Sequence, residues 1–231
     1  MQRIVFLAFV LLVAQSVSAQ SFVIGDISTL SDHIIYRNSK NHASIYDNID
    51  GIPYLTAEFI QGEVLISDSL RIVNVPLRYN ILNDKIEFRN ENDQVLELNM
   101  EELGYRFWFD EHVFVPGSYV ADGEKKVGIL EQLDEGRLSL FKKYSAEFKP
   151  ATKAIGFQDA EPDRIERKDE IYLLAEGQGI PKAIKANKKE IFAALKPFKS
   201  DIEQFAKSEK LNPRKEADFI ELVRYCNSAE N

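Results

Sequence analysis

The alternation of apolar and polar residues over residues 54–144 constrains the fold of this 231-residue chain more than any other feature. A period of two is typical of β-strands with one buried face. The clearest unit is a hairpin in which residues 77–82 and 85–89 are joined by the two-residue turn Asn83-Asp84. With this turn, the apolar residues of both strands share one face. The expected pairs are Tyr79 with Phe88, Ile81 with Ile86 and Asn80 with Glu87.

Further alternating segments flank this hairpin and are joined by short polar turns, which is typical of an antiparallel meander. They span residues 54–59, 63–66, 94–98, 127–133 and 137–144, and a last strand is expected over 167–175. The segment 105–109 differs, because Trp108 lies on the face opposite Tyr105, Phe107 and Phe109. A strand that is apolar on both faces is usually covered on both.

From residue 187 onward the apolar period becomes helical. Ile191, Leu195, Phe198, Ile202 and Phe205 recur at intervals of four and three, which predicts one apolar stripe along a helix. Pro197 should kink or divide this helix. A second helix, with an apolar face over residues 219–223, follows Asn212-Pro213. Because neither helix buries its stripe alone, we expect the pair to pack against another surface.

These patterns predict an α+β protein: an antiparallel β-meander, as a curved sheet, sandwich or partial barrel, with a C-terminal helical hairpin. We divide the chain into a signal peptide at 1–19, an antiparallel β domain at 20–181, and the helical hairpin at 182–231, packed on the β domain. The signal is indicated by Arg3, the short apolar run 4–14 and the small residues of Val17-Ser18-Ala19. We expect export to the periplasm or the cell exterior, with no transmembrane segment.

The charge of the chain bears on its partners. It carries 29 lysines and arginines against 37 aspartates and glutamates, a net charge of −8, which argues against nucleic acid as a partner. Basic residues concentrate in the C-terminal helices, where they would assist docking on the acidic body or contact an anionic surface weakly. Cys226, the only cysteine, has the helical spacing of a buried apolar residue.

No motif predicts a metal, a cofactor or a catalytic centre. His33, His42 and His112 are too scattered for a zinc site, and Asp110-Glu111-His112 fits a turn better than an acid–base site. The loop 47–51 departs from the calcium-loop pattern, because Tyr46 occupies the first ligand position. The sequence also lacks the nucleophile elbow, the phosphate loop and the dinucleotide fingerprint.

The polar face of the central hairpin is the strongest candidate site. Arg78, Asn80, Glu87 and Arg89 are neighbours across its two strands. One interpretation is a solvent-exposed network in which these side chains satisfy one another. The other is a ligand-binding face, on which an arginine fork takes a carboxylate or phosphate and Tyr105 or Trp108 supplies a stacking wall.

The run Gly51-Ile52-Pro53-Tyr54-Leu55, followed by further single matches, resembles a group of uncharacterised exported proteins of Gram-negative bacteria. The further matches are Phe59, Gly62, Val64, residues 77–80, Asp84, Glu87 and a lysine-rich helical segment at 207–227. The resemblance implies an envelope protein, and it carries over no active residue.

Three functions follow in order of preference. The first is a non-enzymatic binding or protein-interaction module of the cell envelope, whose partner is an envelope protein or an apolar ligand. The second is a periplasmic carrier that holds an apolar ligand or lipid in a half-closed sheet. The third is an enzyme without a recognisable motif.

Overall fold

The computed structural model describes residues 23–28, 30, 37–38, 49–67, 70–98, 104–153, 159–168 and 170–228. The strands are β1 Val23–Gly25, β2 Arg37–Asn38, β3 Ile60–Ser67, β4 Leu70–Asn80, β5 Lys85–Arg89, β6 Val95–Glu97, β7 Arg106–Phe109, β8 His112–Ala121, β9 Glu124–Asp134, β10 Leu138–Lys143, β11 Ala146–Lys149, β12 Arg164–Arg167, β13 Ile171–Glu176 and β14 Lys182–Ile184. The C-terminal helices are α1 Lys188–Leu195, α2 Ile202–Ser208 and α3 Glu216–Asn227. The proposed signal peptide lies outside the described residues.

Twelve strands form one mostly antiparallel sheet in the order β14-β13-β10-β9-β8-β7-β3-β4-β5-β6-β2, with β1 parallel to β4. Strand β14 also pairs with β8, which closes β8, β9, β10, β13 and β14 into a five-stranded barrel. At the closure the Val120 amide donates to the Pro181 carbonyl at 2.8 Å. The predicted α+β class with a partial barrel is confirmed.

The central hairpin forms, but its register differs from the prediction by two residues. Tyr79 pairs with Ile86 and Asn80 with Lys85, so the loop is four residues long. The amides of Ile81 and Leu82 instead donate to the carbonyl of Pro53. Since a shift of two residues preserves the alternation of faces, the apolar side chains still lie where the pattern placed them.

Two predicted features near residue 60 are wrong. Residues 54–59 form no strand, apart from an isolated bridge between Tyr54 and Asn80. Gln61-Gly62, predicted as a turn, lies inside β3. A Cβ atom on Gly62 would collide with the carbonyl oxygen of Trp108 on the neighbouring strand. The glycine therefore serves close strand packing.

The sheet bends over itself, so that the β4–β5 hairpin covers the outer face of barrel strands β8 and β9. The ring of Tyr79 lies 5.3 Å from the ring of Phe114, and both belong to the main core. The four apolar residues predicted for the hairpin core are all buried: Tyr79, Ile81, Ile86 and Phe88. A second apolar cluster fills part of the barrel and includes Tyr119, Leu130 and Leu173.

The helices pack on the outer face of β10 and β13, and a third cluster joins Leu138 and Leu140 to the apolar faces of all three helices. The first predicted helix is divided: α1 ends at Leu195, ahead of Pro197, and α2 begins at Ile202. Residues 182–184, which the sequence division places in the helical segment, form β14. Cys226 is buried in the third cluster, and burial raises the pKa of its thiol to about 11.

Among the helices of the described residues, none combines the length and the apolar character needed to cross a membrane.

Candidate functional site

Three of the four predicted hairpin residues form a buried ionic cluster. Arg78, Asn80 and Glu87, called here the hairpin cluster, are 8 %, 0 % and 0 % exposed. One carboxylate oxygen of Glu87 accepts hydrogen bonds from Nε and Nη2 of Arg78, at 3.2 and 2.6 Å. The other oxygen accepts from Nδ2 of Asn80 at 2.9 Å. The network that the sequence predicted exists, but its predicted solvent exposure is wrong.

The irregular segment 54–59, which precedes β3, covers the hairpin cluster. The guanidinium of Arg78 stacks on the ring of Tyr54 at 3.5 Å and on the ring of Phe59 at 4.2 Å. Its Nη1 donates to the carbonyl of Ala57 at 3.1 Å. A guanidinium over an aromatic face is attracted by the ring quadrupole. Binding of a ligand to this face would require Tyr54 and Phe59 to move away.

The other predicted site residues do not join the hairpin cluster. Arg89 lies at its exposed edge, where it pairs with Asp93 at 3.3 Å. Tyr105 is buried in the main core. Trp108 is partly buried on the opposite face of β7, beside Val113, so the second face of this strand is not fully covered.

A pocket of about 410 Å³, called here the mouth pocket, lies at one end of the barrel. Inward-facing barrel residues line it, including Val115, Leu130 and Phe141. Tyr105 and Arg106, at the start of β7, form another part of the wall. Barrel mouths are common positions for ligand sites. One of the six predicted site residues, Tyr105, therefore lies at a cavity.

An ion pair occupies the mouth pocket. Nη1 and Nη2 of Arg106 donate to the two carboxylate oxygens of Glu135, at 3.1 and 3.2 Å. Nη1 also donates to Oε1 of Gln132 at 3.3 Å. The hydrogen bonds from Arg106 lower the pKa of Glu135. Sequence reasoning missed this pair. The signal in the sequence is that Arg106, a charged residue in an otherwise aromatic strand, lies on the same face as Trp108.

A larger cavity of about 930 Å³, called here the helix groove, lies between α1 and the barrel strands β13 and β14. Its wall is mainly apolar and is formed by Leu138, Leu174, Ile180, Ile184, Ala193, Ala194 and Phe198. Lys182, Lys185, Glu176 and Glu190 stand among these residues. The groove is open to solvent along its length. Gly179 lines both the helix groove and the mouth pocket.

A second buried ionic network centres on Glu131, and sequence reasoning missed it. Glu131 accepts hydrogen bonds from Tyr144, at 2.7 Å, and contacts Nδ1 of His112. Nζ of Lys142 lies 3.2 Å from Glu131 and 2.6 Å from Glu216 of α3, so the network ties a helix to the sheet. None of these residues lines the mouth pocket or the helix groove.

The pKa shifts in this network have opposing causes. The hydrogen bond with Glu131 raises the pKa of His112. Burial acts to raise the pKa of Glu131, but hydrogen bonds from His112 and Tyr144 and the charge of Lys142 outweigh it and lower the pKa. Both groups are therefore held in their charged forms around pH 6. One member of the network, His112, was considered in the sequence, but only with its neighbours Asp110 and Glu111 and not with the distant Glu131.

Lys143 is the centre of a third polar contact. Its Nζ donates to Asp84, Tyr79 and the Tyr144 carbonyl, at 2.7, 3.0 and 2.8 Å. Burial lowers the pKa of Lys143, against the opposing charge of Asp84. Asp84 also accepts from the amide of Ile129 at 3.2 Å. This carboxylate anchors the tip of the hairpin to the barrel.

No family model, curated protein or solved structure matches the chain. Within the described ranges, no group of three or more metal-ligating side chains is placed to hold an ion. The geometry of the cavities is therefore the basis for a functional assignment.

Proposed function

We propose that this protein is a non-enzymatic, exported interaction module of the cell envelope, and that it binds an apolar segment of a partner protein in the helix groove. The observation that carries the proposal is the groove itself: about 930 Å³ of mainly apolar wall that the folded chain leaves open to solvent. Open apolar surfaces of this kind are typical of interaction sites.

The shape of the groove favours a protein segment over a lipid. A carrier encloses its ligand, because an acyl chain that lies in an open groove keeps much of its surface in water. A protein segment instead places its apolar side chains on the groove and turns its polar side toward water. In the barrel, Tyr119, Leu130 and Leu173 occupy part of the interior where a carrier would hold its ligand.

The charges in the groove specify the partner further. Lys182 and Lys185 lie on or next to β14, while Glu190 lies on α1. The strand wall, which also carries Glu176 at the end of β13, thus has a net positive charge, and the helix wall is negative at Glu190. A complementary segment has an apolar row with an acidic residue on the side toward β14 and a basic residue on the side toward α1.

Photo-crosslinking in the cell envelope tests the proposal. A benzophenone amino acid replaces Ala193, which lines the groove, or Ala217, which is also exposed but lies on α3 outside the groove. We expect a crosslinked protein from position 193 and not from position 217. The additional change Ile180→Glu, at a residue that is 44 % exposed, should abolish this crosslink while the protein stays folded.

Other outcomes would contradict the proposal. Lipid adducts in place of protein adducts at position 193 would favour the carrier function. The same protein crosslinked from positions 193 and 217 would show that the groove is not the contact surface.

A further inference from the structure

The mouth pocket contains a binding feature that is separate from the helix groove. Arg106 presents two guanidinium nitrogens to the two oxygens of one carboxylate, that of Glu135. This parallel arrangement is the geometry by which arginine recognises carboxylates with high directional specificity. Arg106 belongs to β7, and Gln132 of β9 holds the same guanidinium. The guanidinium fork of Arg106 is therefore held in place by two strands of the sheet, β7 and β9.

Glu135 is more exposed to solvent than Arg106. It lies in the loop between β9 and β10, and its side chain is 62 % exposed, against 36 % for Arg106. Ion pairs with this exposure contribute little to stability, because water solvates both partners almost as well. The carboxylate of Glu135 can thus leave Arg106 for water at small cost.

One part of the mouth pocket is suited to an apolar group. Among the described lining residues, Arg106 and Glu135 carry the only charges. Beside the uncharged polar side chains of Ser118, Gln132, Ser139 and Gln178, apolar side chains form part of the wall: Val115, Leu130, Phe141, Ala175 and Pro181. Gly117 leaves open space there, because a Cβ atom at this position would have one neighbour within 4 Å, Leu130 Cδ1 at 4.0 Å. A fixed guanidinium beside an apolar wall matches one carboxylate on a short apolar group.

We propose that the mouth pocket binds a small monocarboxylic acid. The carboxylate of the ligand takes the position that the Glu135 carboxylate holds on Arg106, and its apolar body lies against Val115, Leu130 and Phe141. Glu135 acts as an internal competitor that occupies the fork when no ligand is bound. This site requires neither the helix groove nor a partner protein.

Ligand-observed NMR titrations of the full-length exported form test the proposal. The probes are benzoate and hexanoate, and the uncharged controls are benzamide and hexanamide, which have nearly the same shape. We expect both acids to bind and both amides to bind at least about tenfold more weakly, because only a carboxylate pairs with the guanidinium fork. Equal binding of acids and amides would overturn the proposal.

Two charge variants separate the roles of the ion pair. Arg106→Gln should weaken binding of the acids at least about tenfold. Glu135→Gln should strengthen it about two- to fivefold, since it removes a competitor held by a weak surface ion pair. The matched controls are Arg71→Gln and Glu63→Gln, which break a similar half-exposed ion pair outside the pocket and should leave binding unchanged.

A steric variant tests the location. Gly117→Leu fills the open space without a close contact at Cβ, so it should retain the melting temperature of the parent protein and lose binding of both acids. Unchanged binding in this variant, or in Arg106→Gln, would place the acids elsewhere. Unchanged or weaker binding in Glu135→Gln would overturn the competitor role.

Discussion

Replacement of Glu87 by alanine should destabilise the protein by about 3 kcal/mol, although the side chain is charged and the sequence alone suggests exposure. The change leaves the positive charge of Arg78 and the amide of Asn80 buried without their acceptor. Loss of one partner of a buried ion pair costs about 3–5 kcal/mol. We expect the lower end, because Arg78 keeps its contacts with Tyr54 and Phe59. For a domain of this size, the melting temperature should fall by roughly 6–12 °C.

Urea unfolding of the variant measures this loss. The slope of the unfolding free energy against urea concentration should stay unchanged, which shows that the folded and unfolded states keep their compactness. Phe88→Ala, at a fully buried neighbour on the same strand, provides the reference and should cost about 3–5 kcal/mol. Glu91→Ala, in an exposed turn, should change stability by less than about 0.5 kcal/mol. A loss below about 1 kcal/mol for Glu87→Ala would refute the conclusion that the hairpin cluster is buried.

A double variant distinguishes the unpaired charge from a packing defect. Combined Arg78→Met and Glu87→Leu removes both charges and keeps most of the volume, so it should recover a large part of the loss of Glu87→Ala. The single variants Arg78→Met and Glu87→Leu complete the comparison. If the loss of stability in the double variant equals the sum of the losses in these two single variants, the two side chains do not interact.

Two further predictions concern the ionic contacts of the barrel. Because the pKa of His112 is raised, its pairing with Glu131 stabilises the protein fully below about pH 6.5, and this contribution is lost as the pH rises through the raised pKa. His112→Gln should therefore lower the free energy of unfolding more at pH 6 than at pH 9 in urea melts. Equal losses at the two pH values would contradict the assignment. Gly128→Ala should destabilise by about 1–3 kcal/mol, because its Cβ collides with Asp84, whereas Ala at the directly paired Gly117 should be nearly neutral. Equal thermal stability of the two glycine variants would show that the Asp84 anchor is not needed.

The fold class was accessible from the sequence because its signals are local. Alternation with a period of two identified the central hairpin and assigned Tyr79 and Phe88 to the buried face. The helical stripe and Pro197 likewise predicted a kinked or divided helix with one apolar side, and the helix is divided. The register of the hairpin was not accessible, because the loop is set by hydrogen bonds from Ile81 and Leu82 to the distant Pro53.

The mouth pocket and the helix groove were less accessible, because each combines residues that are far apart in the chain. Arg106 and Glu135 are separated by 29 positions and meet only when β7 and the β9–β10 loop reach the same end of the barrel. The hairpin cluster was predicted as a network, since its members are neighbours on two strands. Its burial depends on the separate segment that carries Tyr54 and Phe59.

The sequence by itself determined the central hairpin, the C-terminal helices and which face of each is apolar, since these follow from the spacing of side chains along a single element. The tertiary structure alone decided that β3 pairs with β7 and that β14 closes the barrel on β8. Backbone hydrogen bonds make these pairings, and they are nearly independent of side-chain identity, so many strand orders suit the same pattern. Whether a polar face meets water or another part of the chain likewise depends on tertiary packing, and the hairpin cluster with Glu87 is buried because the segment that carries Tyr54 and Phe59 lies over it.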